Sequence, residues 1–198
     1  MSSSRRAVFL DRDGTLIKEA SYLRSVEQIS PLDSAFEAVR KLNQRDLIAI
    51  VVTNQSAVAR GLLTEEELGR IHDFVREMFD RQGAHISAFY SCPHLPGAKS
   101  VQYGRGCACR KPEPGLLLQA ARDLSVDLRK SFMMGDSGRD IEAGHRAGCR
   151  SVLVKTGYGA AVAADLEVES RRLTAPPKRP EYVAEDLLDG AKWILRNL

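Results

Sequence analysis

No apolar run in this 198-residue chain approaches the roughly 20 residues that cross a bilayer. That absence predicts a protein without membrane-spanning helices. An excess of one charge is missing too: the net charge is +3, too small to point to nucleic acid or an anionic membrane surface as a partner. Met1 to Arg6 leads straight into an apolar run with no signal-peptide apolar region, so the expected location is the cytoplasm. There is no internal repeat, and no segment large enough to be a separate cap domain. Cysteine is sparse, with only four residues, but Cys92, Cys107 and Cys109 fall close together. In a reducing compartment such a cluster points to a metal rather than to disulfides. The length suits one domain, residues 1–198, with a full hydrophobic core.

What is present is an alternation of strand and helix signals. Ala7 to Leu10, Ile48 to Val52, Ile86 to Ser91, Phe132 to Met134 and Ser151 to Val154 are short apolar runs of the buried-strand kind, and Tyr182 to Ala184 suits an edge strand. Between them, helices are expected over Asp33 to Arg45, from a Thr64-x-x-Glu67 capping box to Arg81, from Pro114 to Leu124, over Ser137 to Ala147 with Gly148 as the stop, and over Asp186 to the C-terminus. Glu167 to Pro180, polar and proline-rich, reads as an exposed loop. The fold expected is therefore α/β: a Rossmann-like, doubly wound, mainly parallel sheet with helices on both faces.

In such sheets ligands bind beyond the carboxyl ends of the strands. There the sequence places Asp11-Arg12-Asp13-Gly14-Thr15, Thr53-Asn54, Cys92 and Gly135-Asp136. Two acids at the end of a buried strand repel each other and lose hydration unless a cation or phosphate chemistry accounts for them. Oxygens from Asp11, Asp13 and Asp136 suit Mg²⁺, a hard cation that accepts a substrate phosphate. The Thr53 hydroxyl, the Asn54 amide, and the cations Arg110 and Lys111 suit phosphoryl oxygens. An EF-hand reading of Asp11 to Gly14 fails because the third acid before the glycine and the later glutamate are missing. Asp140 fits equally a site acid or a supporting acid in the following helix.

Asp11-x-Asp13-Gly14-Thr15, Thr53, Lys111-Pro112 and Gly135-Asp136-x-x-x-Asp140 resemble, in order, the four motifs of the haloacid dehalogenase (HAD) phosphatases. The resemblance implies a capless fold of that type and a two-step mechanism. Asp11 would take the phosphoryl group, and Asp13 would serve as acid and then base. Asp11, the Asp13 carbonyl and Asp136 would hold Mg²⁺, while Thr53, Asn54 and Lys111 would hold the phosphate.

Cys92-x-His94 and Cys107-x-Cys109 supply three sulfurs and an imidazole, a complete tetrahedral set for a structural Zn²⁺ with no position left for water. Zinc on Cys109 would also fix Arg110 and Lys111, which follow it directly. Cys149 reads as a small buried residue, and His72, His85 and His145 as helix-surface or packing residues. This loop narrows the resemblance to the branch containing D-glycero-D-manno-heptose-1,7-bisphosphate 7-phosphatases and histidinol-phosphate phosphatases; the 12-residue spacer and Lys111-Pro112-x-Pro114-Gly115 are closer to the heptose enzymes. By that resemblance Glu19, Ala20, Ser21, Tyr22, Gln55, Ser56 and Arg110 would contact a small phosphorylated sugar in nucleotide-activated heptose synthesis. One departure is Ser137, where heptose phosphatases often carry lysine after the metal-binding acid. An open site walled only by the segment 17–31 and the cysteine loop suits a monomer.

Overall fold

The computed structural model of the chain describes residues 4–20, 22–172 and 179–198. Every expected strand forms: β1 (Arg6–Leu10), β2 (Leu47–Asn54), β3 (Ile86–Cys92), β4 (Phe132–Gly135), β5 (Arg150–Val154) and β6 (Tyr182–Ala184). They make one sheet in the order β3-β2-β1-β4-β5-β6, with each neighbouring pair parallel. The strand order therefore reverses between β1 and β4, and the crevice at their carboxyl ends is where this topology binds ligands.

The helices are α1 (Ala35–Asn43), α2 (Ser56–Ala59), α3 (Glu65–Asp80), α4 (Gly115–Leu124), α5 (Gly138–Ala147), α6 (Gly159–Arg172) and α7 (Leu187–Arg196). Alternation along the strands sorts them onto two faces. Val8, Leu10, Val51, Phe132 and Met134 pack with α1, α3 and α7. Ala7, Phe9, Val52 and Met133 pack with α4 and α5 on the other face. A sheet covered on both sides explains why its strands read as continuous apolar runs.

Local signals set the helix ends. Thr64 and Glu67 close the expected capping box at 2.7 and 3.1 Å. Gly148, at φ +90°, ends α5 in the left-handed conformation that glycine adopts freely. Two helices were not expected. The four-residue α2 is too short for a periodic signal. The longer α6 overturns the loop expected from Glu167, since helix continues to Arg172. The turn signals of Gly157 and Gly159 concealed an alanine-rich run of strong helix formers, Ala160 to Glu169. The rest of that predicted loop, up to residue 178, lies outside the described residues.

Between β1 and α1 the chain doubles back, Ile17 bridging to Pro31 and the Lys18 amide donating to the Ser30 carbonyl at 2.8 Å. This segment forms one wall of the crevice. Among the described residues no helix is long and apolar enough to cross a membrane.

Candidate active site

Lys111 is the centre of the crevice. Its ammonium, 3% exposed, lies 2.8 Å from Asp11 Oδ1 and 2.6 Å from Asp140 Oδ1, and donates to the Val52 carbonyl at 2.7 Å. Burial opposes its charge, but Asp11 and Asp140 outweigh burial and hold its pKa above the ordinary lysine value. The Asn54 side chain fixes the backbone beneath it: Nδ2 donates to the Lys111 carbonyl and Oδ1 accepts from the Lys111 amide, both at 3.0 Å. Nδ2 keeps a second N–H and Asn54 lines the pocket, so this clamp is compatible with the expected use of that amide on phosphoryl oxygens.

Two acids of the crevice have less compensation. Burial raises the Asp11 pKa to about 6 against the pull of Lys111, and burial raises that of Asp136 to about 7 although the Tyr158 amide donates to its Oδ2 at 2.8 Å. Carboxylate oxygens of Asp11, Asp136 and Asp140 lie within 4.8 Å of one another. Asp140 is engaged on both sides: Oδ1 pairs with Lys111, and Oδ2 accepts from the Ser137 amide at 3.0 Å and hydroxyl at 2.7 Å. Asp11 and Asp136 remain as the under-neutralised pair. Gly14 (φ +77°) and Gly157 (φ +55°) flank the Asp136 carboxylate so closely that a Cβ on either would sit about 2 Å from its Oδ2. Hard oxygen donors in a tight, electron-rich cradle fit Mg²⁺.

A second network holds the other aspartate. Gln55 Nε2 donates to Asp13 Oδ2 and to Thr53 Oγ1, each at 2.9 Å. Arg12, 1% exposed, faces the Asp13 carboxylate with Nε and Nη2 at 2.9–3.2 Å. Nothing in the local pattern singles out Arg12, because a charged residue between two acids reads as solvated.

These groups line one pocket of about 320 Å³ with Glu19, Ala20, Tyr22, Ser56, Arg110 and Arg139. Burial, then repulsion from Asp13 and Asp11, pushes Glu19 up to about 7. Ser21 lies outside the described residues. At the mouth the field turns positive. Arg110 is half-buried, donates to the His94 carbonyl at 2.9 Å, and has its pKa lowered by burial and by the like charges of Arg139 and Arg60. Arg60 stacks over Tyr22 at 5.5 Å. No ion pair reaches Arg60, Arg110 or Arg139 among the described residues. Arg139 was not foreseen: α5 brings it to the pocket two residues beyond Ser137.

The four expected zinc ligands also meet. The Sγ atoms of Cys92, Cys107 and Cys109 lie 3.1–3.5 Å apart, and His94 Nδ1 is 3.7 Å from Cys92 Sγ and 3.5 Å from Cys109 Sγ. All three thiols are free rather than bridged. Sulfurs sharing a tetrahedral Zn²⁺, each at ~2.3 Å, lie about 3.8 Å apart, a few tenths of an ångström beyond this separation, so a small outward shift of the thiols suits the donor set to that metal. Cys149 is buried as expected. His72 is a packing residue, stacked on Phe89 at a centroid distance of 4.9 Å.

A parallel sheet in this order, with a lysine-anchored pair of acids at its switch point and a positive mouth, defines a hydrolase of phosphate esters. A family model described as haloacid dehalogenase-like hydrolase matches residues 18–148, and a second, HAD-hydrolase-like model matches residues 108–190. The D-glycero-beta-D-manno-heptose-1,7-bisphosphate 7-phosphatase of Photorhabdus laumondii is 39% identical, over 79% of this chain and 84% of its own. The alpha-anomer enzyme of the same organism is 36% identical, over 77% and 84%. Among solved structures, the D,D-heptose 1,7-bisphosphate phosphatase from B. bronchiseptica, complexed with magnesium and phosphate, superimposes with a TM-score of 0.83 at 34% identity, over 98% of this chain and 99% of that one. The chain belongs to the haloacid dehalogenase-like hydrolases, in the same family as these heptose bisphosphate phosphatases.

Proposed function

We propose that this protein hydrolyses the 7-phosphate of D-glycero-D-manno-heptose 1,7-bisphosphate, releasing heptose 1-phosphate and inorganic phosphate. The observation that carries this reading is the division of positive charge in the pocket. Lys111 is neutralised by Asp11 and Asp140 at the reacting end, while among the described residues no ion pair reaches Arg110 or Arg139 at the mouth. A substrate with a phosphate at each end matches both. The names of relatives that align along most of the chain support the same substrate.

In the first step an Asp11 carboxylate oxygen bonds to phosphorus as the bond from phosphorus to the C7 oxygen breaks, and Asp13 gives its proton to that oxygen. In the second, Asp13 takes a proton from water, whose oxygen bonds to phosphorus as the bond to Asp11 breaks. Lys111 and Thr53 orient the phosphoryl group, and the arrangement acts mainly by positioning and charge neutralisation. Asp11, Asp136 and the Asp13 carbonyl would hold Mg²⁺, which when bound neutralises developing phosphoryl charge. Zn²⁺ on Cys92, His94, Cys107 and Cys109 would be structural. Because one chain supplies every group named, the working unit is a monomer, and the composition suits the cytoplasm.

The test is a steady-state comparison, with Mg²⁺, of both heptose bisphosphate anomers, histidinol phosphate and simple sugar monophosphates. A heptose bisphosphate is expected to have the highest kcat/KM. Preference for histidinol phosphate, or no preference, overturns the reading.

A further inference from the structure

Arg12 is among the largest fully buried side chains of the molecule, yet the two-step mechanism gives it no part. Burying a guanidinium is costly, and a buried ion pair is weak support for stability, because desolvation takes back most of the Coulombic gain. The placement of this one calls for another account. Nε and Nη2 both reach both Asp13 oxygens, at 2.9–3.2 Å. A planar fork set against a carboxylate fixes its rotation as well as its position, which a point charge cannot do. Gln55 adds a third donor to Asp13 Oδ2 at 2.9 Å and ties it to Thr53.

Behind Arg12 stands α3. Nη1 and His72 Nε2 are both buried, with no hydrogen-bond partner among the described residues. Burial, followed by the nearby charges of Arg12 and Arg76, lowers His72 to about 3, so the ring stays neutral and adds no repulsion to the guanidinium. Phe89 stacks on that ring. The guanidinium is thus backed by packed side chains while only its fork faces the pocket, where Asp13 is 18% exposed.

We propose that Arg12 is a positioning residue that, with Gln55, sets the orientation in which Asp13 meets the leaving oxygen and then the attacking water. The inference rests on the role given above to Asp13. It needs the shape of arginine rather than its charge, so Arg12→Lys, which keeps the charge, is the informative change.

Positioned acid–base groups contribute about 10²–10⁴-fold, and loss of orientation should remove part of that. A sugar alkoxide needs a proton to leave, whereas p-nitrophenolate does not. In Arg12→Lys, kcat for the sugar phosphate should fall about 10- to 100-fold, with KM changed less than about threefold. With p-nitrophenyl phosphate the first step should survive while the slowed second step leaves Asp11 phosphorylated. The expected trace is a burst of nitrophenolate approaching one equivalent, then a slow steady state. Gln55→Leu should show the same pattern more weakly, and it carries the test if Arg12→Lys does not fold.

Unchanged rates, or equal losses on both substrates without a burst, overturn the role of Arg12. Asp13→Asn separates the two failures. It should show the deepest leaving-group dependence, and its absence there overturns the role of Asp13 itself.

Discussion

The strand-end acids and the cysteine loop meet at three consecutive residues, Cys109, Arg110 and Lys111, but they are built in opposite ways. Asp11 and Asp136 sit at the ends of β1 and β4, whose apolar side chains are buried on both faces of the sheet. Their backbone is placed by packing, so the fold sets the geometry before any ion binds. The loop between β3 and α4 has little core of its own. Val101 at its tip is fully exposed, and its internal order comes from a few backbone bonds, such as Leu95 to Tyr103 at 2.9 Å. There a metal would set the geometry. Loss of a ligand should therefore cost chemistry in the first region and structure in the second.

The largest expected effect lies in the first region. Asp11→Asn should lower turnover more than about 10³-fold, because the amide cannot serve as nucleophile. Lys111 keeps Asp140 as its ion partner, so the melting temperature should move by no more than a few degrees, about the effect of 1 kcal/mol in a domain of this size. Measuring kcat and thermal unfolding on the same preparation checks both. A collapse of stability would break the comparison.

The second region should give the reverse. Replacing Cys107 and Cys109 with serine should remove about one equivalent of zinc and lower the melting temperature by more than Asp11→Asn does. Hydrogen exchange should speed up from residue 92 to residue 110 while the amides of β1 and β4 keep their protection. Activity should fall through misplacement of Arg110 and Lys111, by about 10- to 100-fold, as for other supporting shells. Zinc retained at one equivalent would sink the ligand set.

An intermediate effect comes from pH. Asp11 at about 6 and Asp136 at about 7 are raised by burial above the unfolded carboxylate range. The folded metal-free protein therefore holds protons there that the unfolded chain releases from about pH 4. Stability from these groups is present at low pH and is lost as pH rises through 6 to 7. Mg²⁺ competes with the same protons, so the rise in melting temperature produced by a fixed excess of Mg²⁺ should be larger at about pH 8 than at about pH 5.5. Calorimetry with and without Mg²⁺ at the two values checks it, and an equal rise at both would remove the acids from the metal site.

Sequence legibility divides along the same line. The apolar strand runs, the Asp11-x-Asp13-Gly14 pattern and the four zinc-type ligands are local patterns, so the strands, the parallel sheet class and the residues proposed for both metals could be named in advance. What stayed hidden is tertiary. Asn54 clamps a lysine 57 positions away, Gly157 presses on Asp136 from beyond β5, and Arg12 is buried only because Asp13 and α3 close around it. Asp140 was ambiguous for the same reason. An acid on the first turn of a helix reads as a cap, and its Oδ2 is one, but its Oδ1 also belongs to Lys111.

The smallest expected effect tests where the two regions join. Arg139, exposed on α5, lines the pocket with Arg110 of the cysteine loop, and among the described residues neither carries an ion pair. Ser137 leaves this edge without the lysine that heptose phosphatases often have, and Arg139 is the cation that α5 supplies instead. If the two arginines receive the second phosphate, Arg139→Glu should raise KM for the bisphosphate several-fold, on the order of the effect of an exposed charge at low ionic strength. KM for a sugar monophosphate should change much less, and kcat hardly at all, because among the described residues Arg139 shares no hydrogen bond or ion pair with Asp11 or Lys111. The difference should shrink as salt is raised toward about 1 M, where exposed charges are screened over roughly 3 Å. Equal changes for bisphosphate and monophosphate would mean that Arg139 serves the shared reacting end, and that the mouth of the pocket is positive for some other reason.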